Sequence, residues 1–485
     1  MDNNKSFLRN IVEYSVSTWA NFLLGIISVV LMTRLLAPDV YGLVSIFYSA
    51  ASVTLYAMTL GMDGAYIRFF NEPPANNTRQ QLLYKILLIS LLVCAFFGSL
   101  ITIFWGDYFS NYIFGLGGKI LTGLFFLYVF CQVILRYLNI SYRMSFRVWR
   151  YNFQNILINC LSKILVIVAA VYTDNFVYII ALLTIGIAVV LSVYAISQRI
   201  EYTPVDSDGN IKWSLSLKNY NEFFRFALFS APAYIVHYLN TYANQQIIRS
   251  TLSAYALGIF SSSGLFGSIL VTVRGGFSVF WTAYVYQNYG GDQKRIEKMH
   301  DYVVLFSIIS VSVLIVFRDA VYLFIGQDYH ASKAFFSLLL VMPVFAFIST
   351  TTTQGIAIAK KNHIDLIADI ASVVVKVILS LVLIPIMELK GAAIANALSG
   401  LVLFAINTYY GQKYYKSIAD YKKSAMGLLI ILAILTIPAI VYDIKLIILG
   451  VVLIDVIAYL FYKNEAISVF KMIKAKIPFR KNKQT

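Results

Sequence analysis

Fourteen apolar stretches follow one another along the chain, at about 11–33, 40–62, 82–105, 119–140, 154–172, 175–197, 223–248, 254–279, 301–325, 333–358, 364–386, 391–411, 424–442 and 444–462. Most are long enough to cross a hydrocarbon core as a helix, which takes about 20 apolar residues. A helix satisfies its own backbone in lipid, where no water is at hand to do so. The pattern therefore predicts an all-α, polytopic membrane protein with about 14 transmembrane helices. The longest polar interruption, Arg199–Glu222, contains Pro204 and the run Asp206-Ser207-Asp208-Gly209. It divides the chain into a six-helix lobe at 1–198, a linker at 199–222, and a second six-helix lobe at 223–413. Two additional helices at 414–463 and a basic tail at 464–485 follow.

Similar text recurs on either side of that linker. After the first stretch comes Arg34-Leu-Leu-Ala-Pro-Asp-Val-Tyr41-Gly42-Leu-Val-Ser45, and after the seventh comes Arg249-Ser-Thr-Leu-Ser-Ala-Tyr-Ala-Leu-Gly258-Ile-Phe-Ser261. Each half opens with a long helix, an arginine, a short turn and a Gly-x-x-Ser helix start. Internal repeats of this kind are common in transporters, whose lobes rock around a central site.

The cations alternate between loops. With the amino terminus inside, 29 lysines and arginines fall on the inner side, Arg68, Arg136 and Arg143 among them. Seven fall outside: Arg34, Lys119, Arg249, Arg318, Lys333, Lys390 and Lys445. The positive-inside rule then places both termini and the linker in the cytoplasm of a multi-pass inner-membrane protein. The +16 net charge is mostly a consequence of this topology, with cations facing lipid headgroups and no nucleic acid as partner. With 59% hydrophobic and 13% charged residues, a solvated globule of this length is excluded. The first apolar run lacks a small-residue cleavage site and reads as a retained helix. Cys94, Cys131 and Cys160 all lie within apolar runs and imply neither a disulfide framework nor a metal site. His330 has no second ligand at metal spacing, and no cofactor motif is present. Short loops also leave little room for the extramembrane domain that a glycan polymerase or ligase carries.

Polar groups inside the spans must face protein or water. Ser45, Ser49, Ser52, Tyr56, Thr59 and Asp63 are spaced to share one helical face. Ser17, Asn21, Gly25 and Ser28 make a thinner stripe on the first span. His237, Asn240, Thr241 and Asn244 mark the seventh, and Ser261, Ser268 and Thr272 the eighth. These four helices are expected to line a hydrated cavity, although small polar residues also serve close helix packing. Three cations lie within spans: Lys163, near Asn155 and Asn159, Lys376, after Asp365 and Asp369, and Arg274. The two lysines occupy equivalent spans of the two halves. An intramembrane lysine costs roughly 2.5–3.5 kcal/mol on insertion scales, so each is expected to serve a ligand or an ion pair, with Asp369 or Asp455 as counter-ion to Lys376. His237 is a candidate proton relay.

Five segments carry a family resemblance: Thr33-Arg34-Leu-Leu-Ala-Pro-Asp-Val-Tyr41-Gly42, Gly61-Met-Asp-Gly-Ala-Tyr-Ile-Arg68, Ala254-Tyr-Ala-Leu-Gly258-Ile-Phe260, Leu323-Phe-Ile-Gly326-Gln-Asp-Tyr329, and Leu383-Ile-Pro385 followed by Gly391-Ala-Ala393-Ile-Ala395. In their order and spacing the chain resembles the Wzx-type polysaccharide flippases of the multidrug/oligosaccharidyl-lipid/polysaccharide (MOP) superfamily. The resemblance implies two pseudo-symmetric six-helix lobes around a cationic cavity that alternates access. The implied cargo is an undecaprenyl-pyrophosphate-linked oligosaccharide for O-antigen, capsule or exopolysaccharide, moved from the inner to the outer leaflet. A polymerase or chain-length apparatus is an implied partner. Cavity residues expected on this basis are Lys163, Lys376, Arg274, His237, Asn244, Ser52, Tyr56, Asp63, Arg34, Arg68 and Arg249. Asp63, Asp369 and His237 are candidates for coupling to a proton or sodium ion. Asn244 stands where relatives often carry an acid. A multidrug exporter of the same superfamily is the alternative of the same fold, and a glycan polymerase or ligase the alternative of a different class.

Overall fold

The computed structural model describes residues 2–476 apart from 200–202, 206–210, 212–216, 218, 292, 362 and 442. The middle of the predicted linker and the end of the predicted basic tail lie outside the described residues. The elements are helices: α1 (Asp2–Leu35), α2 (Pro38–Thr59), α3 (Met62–Phe69), α4 (Arg79–Phe114), α5 (Lys119–Met144), α6 (Val148–Tyr172), α7 (Phe176–Ser197), α8 (Asn221–Thr251), α9 (Ala254–Ser262), α10 (Gly264–Asn288) and α11 (Gln293–Val316). The short α12 (Arg318–Tyr322), a 3₁₀ turn at Gln327–Ala334, α13 (Phe336–Leu339), α14 (Val341–Thr352) and α15 (Gln354–Ile358) come next. α16 (His363–Tyr414), α17 (Tyr421–Ile440) and α18 (Ile444–Lys476) complete the chain.

Among the described residues, eleven helices are long and apolar enough to cross a membrane, and twelve when the bent segments Gln327–Ala334 and Phe336–Thr352 count as one span. Two physical features account for the difference from the fourteen expected. The 52 residues of α16 extend ~78 Å at 1.5 Å per residue, more than twice a hydrocarbon core of about 30 Å. Its backbone breaks at Glu388 (φ 50°), between the stretches predicted at 364–386 and 391–411, so it carries both. The 31-residue α8 covers the seventh stretch, but its asparagines, glutamines and charged ends leave it less apolar than the other long helices. Counted as separate passes, these give the predicted number.

The second apolar stretch ends earlier than its pattern implied. Leu60 (φ 49°) and Gly61 (φ 71°) turn the chain left-handed, and α3 starts anew at Met62. A side chain on Gly61 would run into the Ala227 carbonyl of α8, so glycine is required for both the turn and the approach. Asp63 therefore stands on a different helix from Ser45 and Tyr56, and the single six-residue stripe read from the sequence is broken at its last member.

The chain forms two compact units: Met1–Leu265 with Ile325–Ala331 and Ser372–Ala392, and Phe266–Phe324 with Ser332–Ala371 and Ala393–Thr485. Within the first, the repeated text meets itself. A methyl group on Gly42 would strike the Ala254 carbonyl, and one on Gly258 would strike the Pro38 carbonyl. Pro38 and Ala254 are 216 positions apart, as are Gly42 and Gly258, so the two contacts are reciprocal. A second such exchange joins the loop glycines: Gly115 lies against Arg249, and Gly326 against the Thr33 carbonyl. Arg249 also donates to the Tyr112 carbonyl, while Tyr329 donates to the Leu36 carbonyl at 2.8 Å.

In the second unit, polar pins attach α17 and α18 to α11. His300 bridges Thr351 Oγ1 and Ser424 Oγ, both at 2.8 Å. Lys423 pairs with Asp301 and Glu465, also at 2.8 Å each. Further along, Ser312 donates to Asp455 at 2.8 Å. Asp455 thus takes a hydroxyl from α11.

Candidate functional site

The first unit encloses a cavity of about 510 Å³, within the range of small-molecule sites. Its walls are α1 (Ser28, Met32), α2 (Tyr41, Ser45, Tyr48, Tyr56), α5 (Tyr128, Gln132, Arg136, Asn139) and α6 (Gln154, Asn155, Asn159, Ser162, Lys163). The sequence pattern assigned this role to the first, second, seventh and eighth stretches. The first and second of these line this cavity, together with the fourth and fifth. Helix α8 is instead sealed against α2: Gln245 donates to Ser45 Oγ at 3.0 Å and accepts from Ser49.

Helical spacing explains how each wall comes to be polar. On α5, Gln132, Arg136 and Asn139 follow at intervals of four and three, which places them on one face. On α6, Asn155, Asn159, Ser162 and Lys163 do the same. Gln154 is 3% exposed, its amide donating to the Leu135 carbonyl at 2.7 Å. Its Oε1, the Tyr48 hydroxyl and the Asn139 amide nitrogen are buried without a hydrogen-bond partner among the described residues. Leaving such groups unpaired costs ~1–3 kcal/mol each, so a cavity that gathers three is shaped for a polar occupant.

Two cations complete the lining. Lys163 is half-buried, its Nζ lying over Gly25 of α1, where a Cβ would sit 3.7 Å away. Among the described residues its ammonium has no hydrogen-bond or ion-pair partner. Arg136, by contrast, is paired: its Nε and Nη2 both donate to Asp63 Oδ2, at 3.1 and 2.9 Å. Its guanidinium also lies over the Tyr56 ring, 5.4 Å from the centroid. Tyr56 stacks in turn on Tyr238 (4.4 Å) and Tyr234 (5.6 Å) of α8. Arg136 is the charged cavity residue that the sequence reading missed. It had been counted with the inner-loop cations, whereas α5 continues to Met144 and carries it into the cavity wall. The four-and-three spacing of Gln132, Arg136 and Asn139 is the signal that marks it.

Of the residues expected in the cavity, the structure brings Lys163 and Tyr56 together, with Asp63 behind Arg136. Ser52 donates to the Tyr48 carbonyl of its own helix and is not part of the lining. Lys376 is 2% exposed and not in that lining either. It sits between Ser372 and Ser380, which meet Asn240 (3.3 Å) and Asn244 (3.2 Å) of α8. His237 is exposed, edge-on to Tyr238. Arg34 is exposed at the end of α1, and Arg68 pairs with Glu72 at 3.0 Å on the surface. Arg249 is occupied at the Tyr112 carbonyl. Arg274 and Asp369 belong to the second unit, where they lie within electrostatic reach of each other.

A family model described as polysaccharide biosynthesis protein matches residues 7–286, more than half of the chain. No curated protein matches the sequence. Among solved structures, the lipid II flippase MurJ in an inward closed conformation is similar at a TM-score of 0.69 and 15% identity, covering 94% of this chain and 100% of that one. An inward-facing multidrug-resistance MATE transporter of the MOP superfamily is similar at 0.59 and 16% identity, over 81% of this chain and 94% of its own. The MATE multidrug transporter DinF-BH gives 0.59 and 13%, over 84% and 94%. At these identities the likeness is one of fold. Family match and helical architecture converge: the chain belongs to the polysaccharide biosynthesis protein family and shares the fold of these solved membrane proteins.

Proposed function

We propose that the protein moves a polyprenyl-pyrophosphate-linked oligosaccharide from the inner to the outer leaflet of a bacterial cytoplasmic membrane by alternating access. The observation that carries this reading is the cavity itself, where an unpaired lysine and an arginine stand among buried polar atoms that lack partners. A pyrophosphate supplies the charge and acceptors for the cations and amides, and sugar hydroxyls both donate and accept. The family's link to polysaccharide biosynthesis and the fold shared with a lipid II flippase support the same reading. Outward movement of an anion is favoured by a membrane potential negative inside, by about 2.3 kcal/mol per charge per 100 mV. Cationic drugs are poorly matched, because the two charges facing the cavity are positive.

A strain lacking the gene should accumulate complete lipid-linked repeat units on the inner leaflet while its glycosyltransferases remain active. Flipped but unpolymerised single units in that strain would overturn the reading in favour of a polymerase. The 29-to-7 distribution of cations further predicts that cysteines at Asn76 and His330 are labelled from opposite faces of the membrane.

A further inference from the structure

The turn between α5 and α6 presents side chains that take no part in the cavity described above. α5 ends at Met144, and the chain reverses through Phe146 (φ 55°), with the Arg147 N–H closing on the Tyr142 carbonyl at 2.9 Å. That left-handed conformation suits glycine better than phenylalanine, yet Phe146 holds it while standing 77% exposed. Trp149, three residues on, is 79% exposed. Arg143, Arg147 and Arg150 are exposed beside them. Arginines among outward-facing aromatic rings mark a segment that meets a membrane at headgroup depth.

Two further cavities adjoin at this turn. One, of about 360 Å³, has the buried Tyr66 and Ser141 at its floor and the exposed Arg79, Ser145 and Arg147 at its rim. Arg79 is held in place there, because its Nη2 donates to Asn71 Oδ1 at 3.1 Å and its guanidinium lies over the Phe70 ring, 4.8 Å from the centroid. Among the described residues no carboxylate lines this cavity. The other, of about 620 Å³, starts at the next two residues, Val148 and Trp149, and runs along α6 past Phe153 and Leu157. Their spacing of four puts Trp149, Phe153 and Leu157 on one apolar face, turned away from Asn155, Asn159 and Ser162. Neighbouring residues thus divide between a cationic cavity and an apolar one, a combination that matches an amphiphile and not a soluble anion.

We propose that this turn binds one anionic phospholipid of the surrounding bilayer, with its phosphate between Arg79 and Arg147 and an acyl chain along Trp149, Phe153 and Leu157. The guanidinium forks take phosphate oxygens, and the Ser145 hydroxyl adds a donor. The cavity that holds Lys163 and Arg136 has its own cations, so the inference does not depend on what the protein transports. The effect of the lipid falls on α5 and α6 together. By clasping the turn that joins them, it fixes the two helices that carry Arg136 and Lys163, and bilayer composition becomes an input to the cavity wall.

The test uses the purified full-length protein in dodecyl maltoside, titrated with phosphatidylglycerol or phosphatidylcholine carrying brominated acyl chains, which quench tryptophan on contact. The signal of Trp149 is that of the wild type minus that of Trp149→Phe. Phosphatidylglycerol should half-quench it at about tenfold lower concentration than phosphatidylcholine. Replacing both arginines, Arg79→Gln with Arg147→Gln, should erase that preference. Glycerol 3-phosphate should not displace the lipid even in large excess; displacement at the lipid's own concentration would mean a phosphate site in which the groove has no part. If unbrominated undecaprenyl phosphate relieves the quenching more strongly than unbrominated phosphatidylglycerol, the site belongs to a polyprenyl carrier and the phospholipid is overturned. Equal half-quenching by the two brominated lipids in the wild type overturns the proposal outright, and does so even if the double variant fails to fold.

Discussion

Helix α2 takes part in two regions of opposite character. Where it meets α9, Gly42 and Gly258 bring backbone against backbone, with no room for a methyl group. Where it faces α5 and α6, Ser45, Tyr48 and Tyr56 line a polar cavity in which three buried polar atoms lack partners among the described residues. The first region is satisfied by its own close contacts, whereas the second keeps polar atoms without partners among the described residues. Close-packed interfaces do not deform gradually, so such a seam favours discrete arrangements. The function proposed above needs both kinds of region, one to define the states and one to give the cargo a reason to favour one of them.

The contrast predicts that damage to the seam is structural and damage to the cavity functional. The largest effect is expected from Gly258→Leu, which forces a side chain into the Pro38 carbonyl and should cost roughly 3 kcal/mol. A lowered thermal midpoint together with lost monodisperse yield would show it, and a protein of normal stability would mean that the seam is not closed as described. Next comes Lys163→Ala. Export should fall about tenfold or more, since a charge contact to phosphate is worth ~2 kcal/mol or more, while the melting temperature stays near wild type. Lys163→Arg should retain part of the activity. Lys376→Ala should behave differently from Lys163→Ala: Lys376 is buried against α8, so its loss should lower stability by roughly 1–3 kcal/mol through lost packing and unpaired neighbours. If both lysine variants are equally stable and equally inactive, the two share one role and the distinction drawn between them fails. The smallest effect is expected from Gln154→Leu. It removes an unpaired buried oxygen together with the amide that donates to the Leu135 carbonyl, so stability should change by less than ~1 kcal/mol while cargo binding weakens severalfold. A melt and a binding isotherm on the same preparation separate the two.

The all-helical membrane fold and the order of its spans were legible because each apolar run is an autonomous signal: in lipid a helix is decided by its own residues. Lys163 and Tyr56 were legible for the same reason, as polar residues that hydrocarbon does not tolerate. The partition of α2 from α3 was not, because it hangs on the left-handed turn at Leu60-Gly61, and a glycine among apolar residues looks the same in a turn as in a packed helix. Nor was Arg136, since a cation one or two turns from a helix end reads as a loop cation until the helix is seen to continue to Met144. The choice of α5 and α6 over α8 and α9 as cavity walls depends on which polar faces meet each other. Gln245 finds Ser45 and Ser49, whereas Gln154 finds only part of a partner, and spacing within one helix carries no information about its neighbour.

The reciprocal glycine contacts have a consequence for the origin of the chain. A pair in which position 42 meets 254 while 258 meets 38 is what two identical subunits related by a twofold axis make when they touch. The polypeptide thus keeps, within one molecule, the isologous interface of a homodimer, which points to an ancestor of half the length that worked as two copies before its gene was duplicated and fused. On this view the linker is a covalent convenience. Separate polypeptides cut within 206–210 and expressed together should find each other through the same glycines.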